Sequence, residues 1–129
     1  MVCLDTDFLI DLSDREERAI KKLEEFEKKG EIVHTTSINV AEFYYGAFRS
    51  TDKGKALADA DELMEPISVL NLDYTAAKLY GELADRMKSK MVPPLDLLIA
   101  SIALLNKQSL ITRNTKHFDR IPGLQLQSW

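Results

Sequence analysis

The sequence has a single cysteine, Cys3, which excludes a fold stapled by disulfides. Cys3 lies within the apolar run Val2-Cys3-Leu4, so it reads as a core thiol and fits a reducing compartment. No apolar run reaches the roughly 20 residues that a membrane-spanning helix needs. Met1 to Leu12 holds three Asp and no Lys or Arg, the reverse of a secretory signal's basic start, so a cytoplasmic protein is expected. The only histidines, His34 and His117, stand far apart and in no ligand motif, which argues against a zinc site. His34 is expected to line a strand and His117 to lie on the surface. Nor is there an excess of positive charge: the formal net charge is −4, where a protein gripping nucleic acid over its whole surface is usually basic. A polyanion substrate would have to be met locally, by a metal ion or a small basic patch. Repeats and low-complexity linkers are absent as well.

What is present is enough apolar material for a core. With 45% apolar residues in 129, one domain over residues 1–129 is expected, burying roughly two-thirds of its unfolded surface. Val2 to Asp5 reads as a buried strand, and Phe8, Leu9, Ile10 and Leu12 as a short helix. Ser13 and Glu16 have capping-box spacing for a helix from about Asp14 to Lys29, with Ile20, Leu23 and Phe26 inward and Gly30 as its stop. Glu31 to Thr36 is a strand, and Ser37 can cap a helix from Ile38 to Arg49. A helix over Asp52 to Glu65 ends at Pro66. Ile67 to Leu72 is a strand, and Asp73 caps a helix from Tyr74 to Lys90. Pro93-Pro94 marks a loop before an apolar helix from Leu95 to Leu105. Ser109 to Thr112 is a fourth strand, and Leu124 to Trp129 a fifth, edge strand entered through Pro122-Gly123. Alternating strands and helices imply an α/β fold, a mostly parallel central sheet flanked by helices. Ligands of such folds bind beyond the carboxyl ends of the strands, where Asp5 and Thr112-Arg113-Asn114 fall.

Three acids draw attention. Asp5 ends a buried strand, where it serves either as a loop-starting residue or as a ligand; of its neighbours, Asp7 is the more plausible local cap. Glu42 has almost only apolar and aromatic neighbours, and reads either as a snorkelling surface residue or as a site residue. Asp96 is the most informative. Its helix is apolar nearly all round, and a buried unpaired carboxylate costs several kcal/mol, on the order of 5. Either Asp96 caps the first turn, where the helix dipole favours an anion, or it binds a cation; the two are compatible. Were the three acids to converge, each pair ~4 Å apart would cost about 4 kcal/mol at an effective dielectric near 20. A divalent cation reverses that cost. Hard oxygen ligands without thiols or paired imidazoles point to Mg²⁺ or Mn²⁺.

Four segments in order carry a family resemblance. They are Leu4-Asp5-Thr6-Asp7-Phe8-Leu9-Ile10, then Asn39-Val40-Ala41-Glu42-Phe43-Tyr44-Tyr45-Gly46, then Asp96-Leu97-Leu98-Ile99-Ala100, and finally Leu110 to Leu124 with Thr112-Arg113-Asn114 inside it. Together they resemble PIN-domain proteins, and most the VapC toxin ribonucleases of type II toxin–antitoxin pairs, over essentially the whole chain. The resemblance implies a three-layer PIN-like fold and an endoribonuclease dependent on Mg²⁺ or Mn²⁺, with Asp5, Glu42 and Asp96 as its acidic site. It implies cleavage to a 5′-phosphate and a 3′-hydroxyl, an RNA substrate, a homodimer, and a VapB-like antitoxin that covers the site. Asn114 falls where some relatives carry a fourth Asp; it brings no charge, which favours one well-held metal over two.

On this reading Asp5 and Asp96 bind the metal directly. Glu42 binds through water or takes the water's proton. Thr6 and Thr112 position phosphate or water by hydroxyl, and Arg113, Lys116 and Arg120 hold the RNA backbone. Phe43, Tyr44, Tyr45 and Phe48 are more aromatics than one short helix needs for the core, which suggests a protein-facing surface. Two alternatives stand beside it. Asp5-Thr6-Asp7 also resembles the DxD of haloacid-dehalogenase-like phosphatases, with Asp5 as nucleophile and Asp7 as acid, although Leu9 replaces the expected Thr. The other is a domain that binds RNA or a protein without cutting, which Asn114 alone favours.

Overall fold

The computed structural model describes residues 1–88 and 92–129. The chain runs β1 (Val2–Leu4), α1 (Thr6–Ser13), α2 (Glu17–Lys28), β2 (Val33–Thr36), α3 (Ser37–Phe48), α4 (Lys53–Met64), β3 (Ser68–Leu70), α5 (Tyr74–Arg86), α6 (Pro94–Leu105), β4 (Ser109–Ile111), α7 (Thr115–Phe118) and β5 (Gln125–Gln127). The strands form one sheet in the order β3-β2-β1-β4-β5, and every pairing is parallel. The expected α/β architecture is therefore present, with a sheet that is wholly rather than mostly parallel.

Side-chain alternation along the strands builds two cores. Val2, Leu4 and Ile111 face one side, packing with Phe8, Leu9 and Leu12 of α1, Phe26 of α2 and Phe43 of α3. Cys3 and Leu110 face the other, with Leu83 of α5, Leu97, Ile99 and Ala100 of α6, and Phe118 of α7. Helices cover both faces, as a wholly parallel sheet requires, which makes three layers. Cys3 is the buried thiol expected, and α6 is the buried helix expected. No helix among the described residues is long and apolar enough to cross a membrane.

The sheet order places the site. From β1 the chain winds outward through β2 to β3, then returns to β4 on the opposite side of β1. Beyond the carboxyl ends of β1 and β4 the order reverses, and a crevice opens at such a reversal. Asp5 follows β1 directly and Thr112 follows β4 directly.

Several boundaries differ from expectation for local reasons. Ser13 ends α1 instead of capping α2. Arg15 adopts a left-handed φ of 56°, which breaks the chain between the helices, and Glu16 itself becomes the cap, accepting from Arg18 N at 3.2 Å. Ile20 points outward, and Ala19 takes the inward position with Phe26. Gly30 does stop α2: at φ 71° it completes a left-handed cap in which Glu31 N donates to Phe26 O and Gly30 N to Glu27 O. Thr36, not Ser37, caps α3, because its hydroxyl reaches Asn39 N at 3.1 Å. Pro94 is the first residue of α6 rather than loop, a position where its missing N–H costs nothing. The expected end of α5 at Lys90 lies outside the described residues.

Candidate active site

Asp5 is the centre of the site, 5% exposed and enclosed by donors. Its Oδ1 accepts from Thr6 N at 2.9 Å and from Asn39 Nδ2 at 2.8 Å. Its Oδ2 accepts from Thr112 Oγ1 at 2.7 Å. Asp5, not Asp7, is thus the cap of α1. A carboxylate oxygen has two lone-pair directions; the described donors use both on Oδ1 and one on Oδ2. Oδ2 is the oxygen with capacity left.

Asn39 was no candidate in the sequence, yet it organises the cluster. It is fully buried. Thr36 Oγ1 donates to its Oδ1 at 2.7 Å, which turns Nδ2 toward Asp5 and toward Thr6 Oγ1, 2.9 Å away. Thr6 Oγ1 passes its own hydrogen to Glu42 Oε1 at 2.7 Å. One chain of bonds therefore joins Thr36, Asn39, Thr6 and Glu42, with Asp5 attached at Asn39. The capping spacing from Thr36 to Asn39 was the available signal, hidden because Ser37 looked like the better cap.

Asp96 stands in the first turn of α6, yet makes no cap. Its Oδ2 lies 2.7 Å from Nδ1 of His117, on α7. His117 is half-exposed but engaged, which corrects the plain surface role expected of it. Nothing in the sequence marks this pair, because α7 is a single turn without its own hydrophobic period.

The electrostatics tie the acids together. Burial raises the Asp5 carboxyl above its ordinary range, against the lowering effect of its three donors, and the charge of Asp96 raises it further. Burial likewise raises Glu42, with Thr6 opposing and the charges of Asp5 and Asp96 adding. Asp7 is pushed up to about 6, mainly by burial and then by Asp5, although Arg113 N donates to its Oδ2 at 2.9 Å. Among the described residues, Asp7 Oδ1 is buried without a hydrogen-bond partner. The leading contributions to these shifts are burial, neutral hydrogen-bond donors and the neighbouring acids.

The expected substrate contacts divide. Thr6 belongs to the Asn39–Glu42 chain. Thr112 is fully buried and its hydroxyl is committed to Asp5, so it positions that acid instead of meeting substrate. Arg113 turns its guanidinium to Asp11 at 3.1 Å and over the Trp129 ring, 4.4 Å from its centroid, so its charge is already matched within the fold. Asn114 is exposed at the start of α7, its N–H donating to Thr112 Oγ1 at 2.9 Å. Lys116 and Arg120 are exposed. On α3, Phe43 is core, whereas Tyr45 and Phe48 are 64% and 54% exposed.

Among the described residues, no three His, Cys, Asp or Glu side chains already form a group that could hold a metal ion. By chemistry and charge the donors fit one nonetheless. They are hard carboxylate oxygens that repel one another, and a divalent cation relieves that repulsion.

The PIN domain family model matches residues 2–124. The chain belongs to the PIN domain family. Among curated proteins it is similar to Ribonuclease VapC2 of Rickettsia felis, 32% identical over 78% of this chain and 77% of that one. It is also similar to the tRNA(fMet)-specific endonuclease VapC of Salmonella typhimurium, 31% identical over 73% of each. Among solved structures it resembles VapBC2 from Rickettsia felis bound to a promoter DNA fragment, at a TM-score of 0.92 and 28% identity over 100% of this chain and 99% of that one. Membership in the PIN family replaces the phosphatase alternative for Asp5 and Asp7.

Proposed function

We propose that this PIN domain is an endoribonuclease that uses Mg²⁺ or Mn²⁺ and acts as the toxin of a VapC-like toxin–antitoxin pair in the cytoplasm. The observation that carries the reading is the group of acids around buried Asp5, in which Asp5 and Glu42 are raised by burial and by the charges of neighbouring acids while neutral donors hold them in place. The ribonuclease names of the relatives supply the reaction class.

Asp5 and Asp96 would hold the ion directly, Asp5 through Oδ2, with Glu42 nearby. When bound, the ion lowers the pKa of a water and offsets charge on the scissile phosphate. Asn39 and Thr112 hold Asp5 in one orientation, so its ligand oxygen is fixed before substrate arrives. Glu42, raised by burial and by its acidic neighbours, suits proton acceptance from the attacking water, and Thr6 steadies it. Exposed Lys116 of α7, with Arg120 just beyond that helix, would meet the RNA backbone. Exposed Tyr45, Phe48 and Ile10 offer apolar surface for an antitoxin or a second copy of the chain.

The test is cleavage of RNA by wild type, Asp5→Asn and Asp96→Asn, in Mn²⁺ and in EDTA. Cleavage that EDTA abolishes and both substitutions cut by about 100-fold or more supports the reading, since each would weaken the hold on the ion that offsets negative charge developing on the phosphate. Cleavage by both variants at the wild-type rate refutes it. A non-catalytic domain, favoured by Asn114, would cleave nothing and bind Mn²⁺ weakly.

A further inference from the structure

Asp96 has an anchor that lies off its own helix. His117 sits on α7, which Phe118 fixes in the core at 0% exposure. The turn is further held by His117 N donating to Asn114 O at 3.1 Å and Asp119 N to Thr115 O at 2.8 Å. Because α7 follows β4, it stands at the same end of the sheet as Asp5 and packs against α6. The imidazole is thereby delivered to the first turn of α6, where its Nδ1 meets Asp96 Oδ2 at 2.7 Å. A carboxylate oxygen only accepts, so Nδ1 carries the hydrogen. Asp96 has no competing commitment to cap its helix, whose cap residue is Pro93.

We infer that His117 is a positioning residue for Asp96: its Nδ1–H pins Oδ2 and so fixes the rotation at which the carboxylate meets a divalent cation. The inference rests on Asp96 being a metal ligand, as proposed above. A free Asp side chain turns about two bonds, and a bond of this length to an anchored ring removes that freedom before the ion arrives. Partners of metal ligands that do this typically change metal affinity by about 10–100-fold when lost.

The experiment is a Mn²⁺ titration of the purified full chain without RNA, read by the spin-resonance signal of free Mn²⁺. His117→Phe keeps a ring and loses the donor, and should raise the Mn²⁺ Kd by about 10-fold. His117→Gln carries its amide to the Nε2 position, beyond reach of Asp96, and should behave alike. His117→Asn places an amide N–H where Nδ1 was, and should restore most of the affinity. In an Asp96→Asn background, His117→Phe should add nothing. All three replacements sit at a half-exposed position, and a thermal melt in EDTA confirms folding. If Asp96→Asn weakens Mn²⁺ binding but His117→Phe and His117→Gln do not, the positioning role is wrong and the metal site stands. If His117→Asn is as weak as His117→Phe, donation to Asp96 is not the role. If Asp96→Asn itself leaves Mn²⁺ affinity unchanged, the ligand assignment fails and takes this inference with it.

Discussion

Asn39→Ala probes the residue on which most of the site's geometry depends. The substitution removes a bond from Nδ2 to the Asp5 carboxyl at 2.8 Å, a bond to Thr6 Oγ1 at 2.9 Å, and the acceptor for Thr36 Oγ1 at 2.7 Å. A hydrogen bond to a charged group contributes about 1.5–3 kcal/mol and a neutral one about 1, so the three sum to roughly 3–5 kcal/mol. Thr36 Oγ1 still accepts from the residue 39 backbone N–H, which limits its own loss. Water entering the vacated space would lower the figure, so about 3 kcal/mol is expected by urea unfolding in EDTA, with an unchanged dependence on denaturant. The pH dependence is the sharper signature. The Asn39 bond stabilises the charged form of Asp5. Its loss therefore matters most where Asp5 is ionised, and the penalty should shrink as pH falls through the raised folded pKa of Asp5. A penalty under about 1 kcal/mol, or one equal in acidic and mildly alkaline buffer, would refute this account of how Asp5 is held.

Further outcomes follow from other parts of the fold. Asp7, raised to about 6 from an ordinary value near 3.9, binds its proton more tightly when folded, so its stabilising contribution is complete below about pH 4 and lost as pH rises through about 6. Because Asp7 is partly exposed, the loss is on the order of 1–2 kcal/mol after screening, and Asp7→Asn should flatten that slope in melting temperature against pH; parallel slopes would contradict it. Mn²⁺ at about 100 times its Kd should stabilise wild type by about 2.7 kcal/mol in thermal melts, and Asp5→Asn should abolish the gain. Lys107 closes α6 with a left-handed φ of 55°, its N–H donating to Leu104 O and Gln108 N to Ala103 O. Glycine adopts that φ without strain, so Lys107→Gly should stabilise by roughly 0.5–1 kcal/mol in urea unfolding, and a loss would mean the side chain has a packing role.

The layers of the fold were legible because they depend on period and punctuation. Apolar runs at β1 and β4, Gly30 after α2, Pro66 after α4 and Asp73 before α5 each act through neighbours in sequence, and those features lie close to where they were expected. Asp5, Glu42 and Asp96 were legible as acids in apolar surroundings. What holds them was not. Thr112 meets Asp5 across 107 residues and His117 meets Asp96 across 21, and neither contact leaves a periodic trace. Asn39 lies within a recognisable helix, but its importance comes from which way its amide turns. Arg113 shows the converse: a basic residue in a suggestive place, whose charge is matched by Asp11 on another element.

The way the acids are held argues for a cation and leads to a result that runs against ordinary intuition. Buried carboxylates in a purely structural network are usually matched by Lys or Arg. Here the partners of Asp5, Glu42 and Asp7 are neutral donors: the hydroxyls of Thr6 and Thr112, the Asn39 amide and the Arg113 backbone N–H, while Asp96 meets the His117 imidazole. Such donors orient a carboxylate without cancelling its charge, so the repulsion among Asp5, Glu42 and Asp96 persists in the metal-free protein. Removing one charge while keeping its shape should then stabilise the fold. Glu42→Gln is the cleanest case, because its amide oxygen can still accept from Thr6 Oγ1. In EDTA at neutral pH it should melt at a higher temperature than wild type, with the difference closing as pH falls and Glu42 in wild type becomes protonated. In Mn²⁺ the order should reverse, because wild type gains from the ion and the variant gains less. A Glu42→Gln protein that melts lower than wild type in EDTA and responds to Mn²⁺ as strongly would mean that these acids are structural, and that the neutral donors around them have no cation to prepare for.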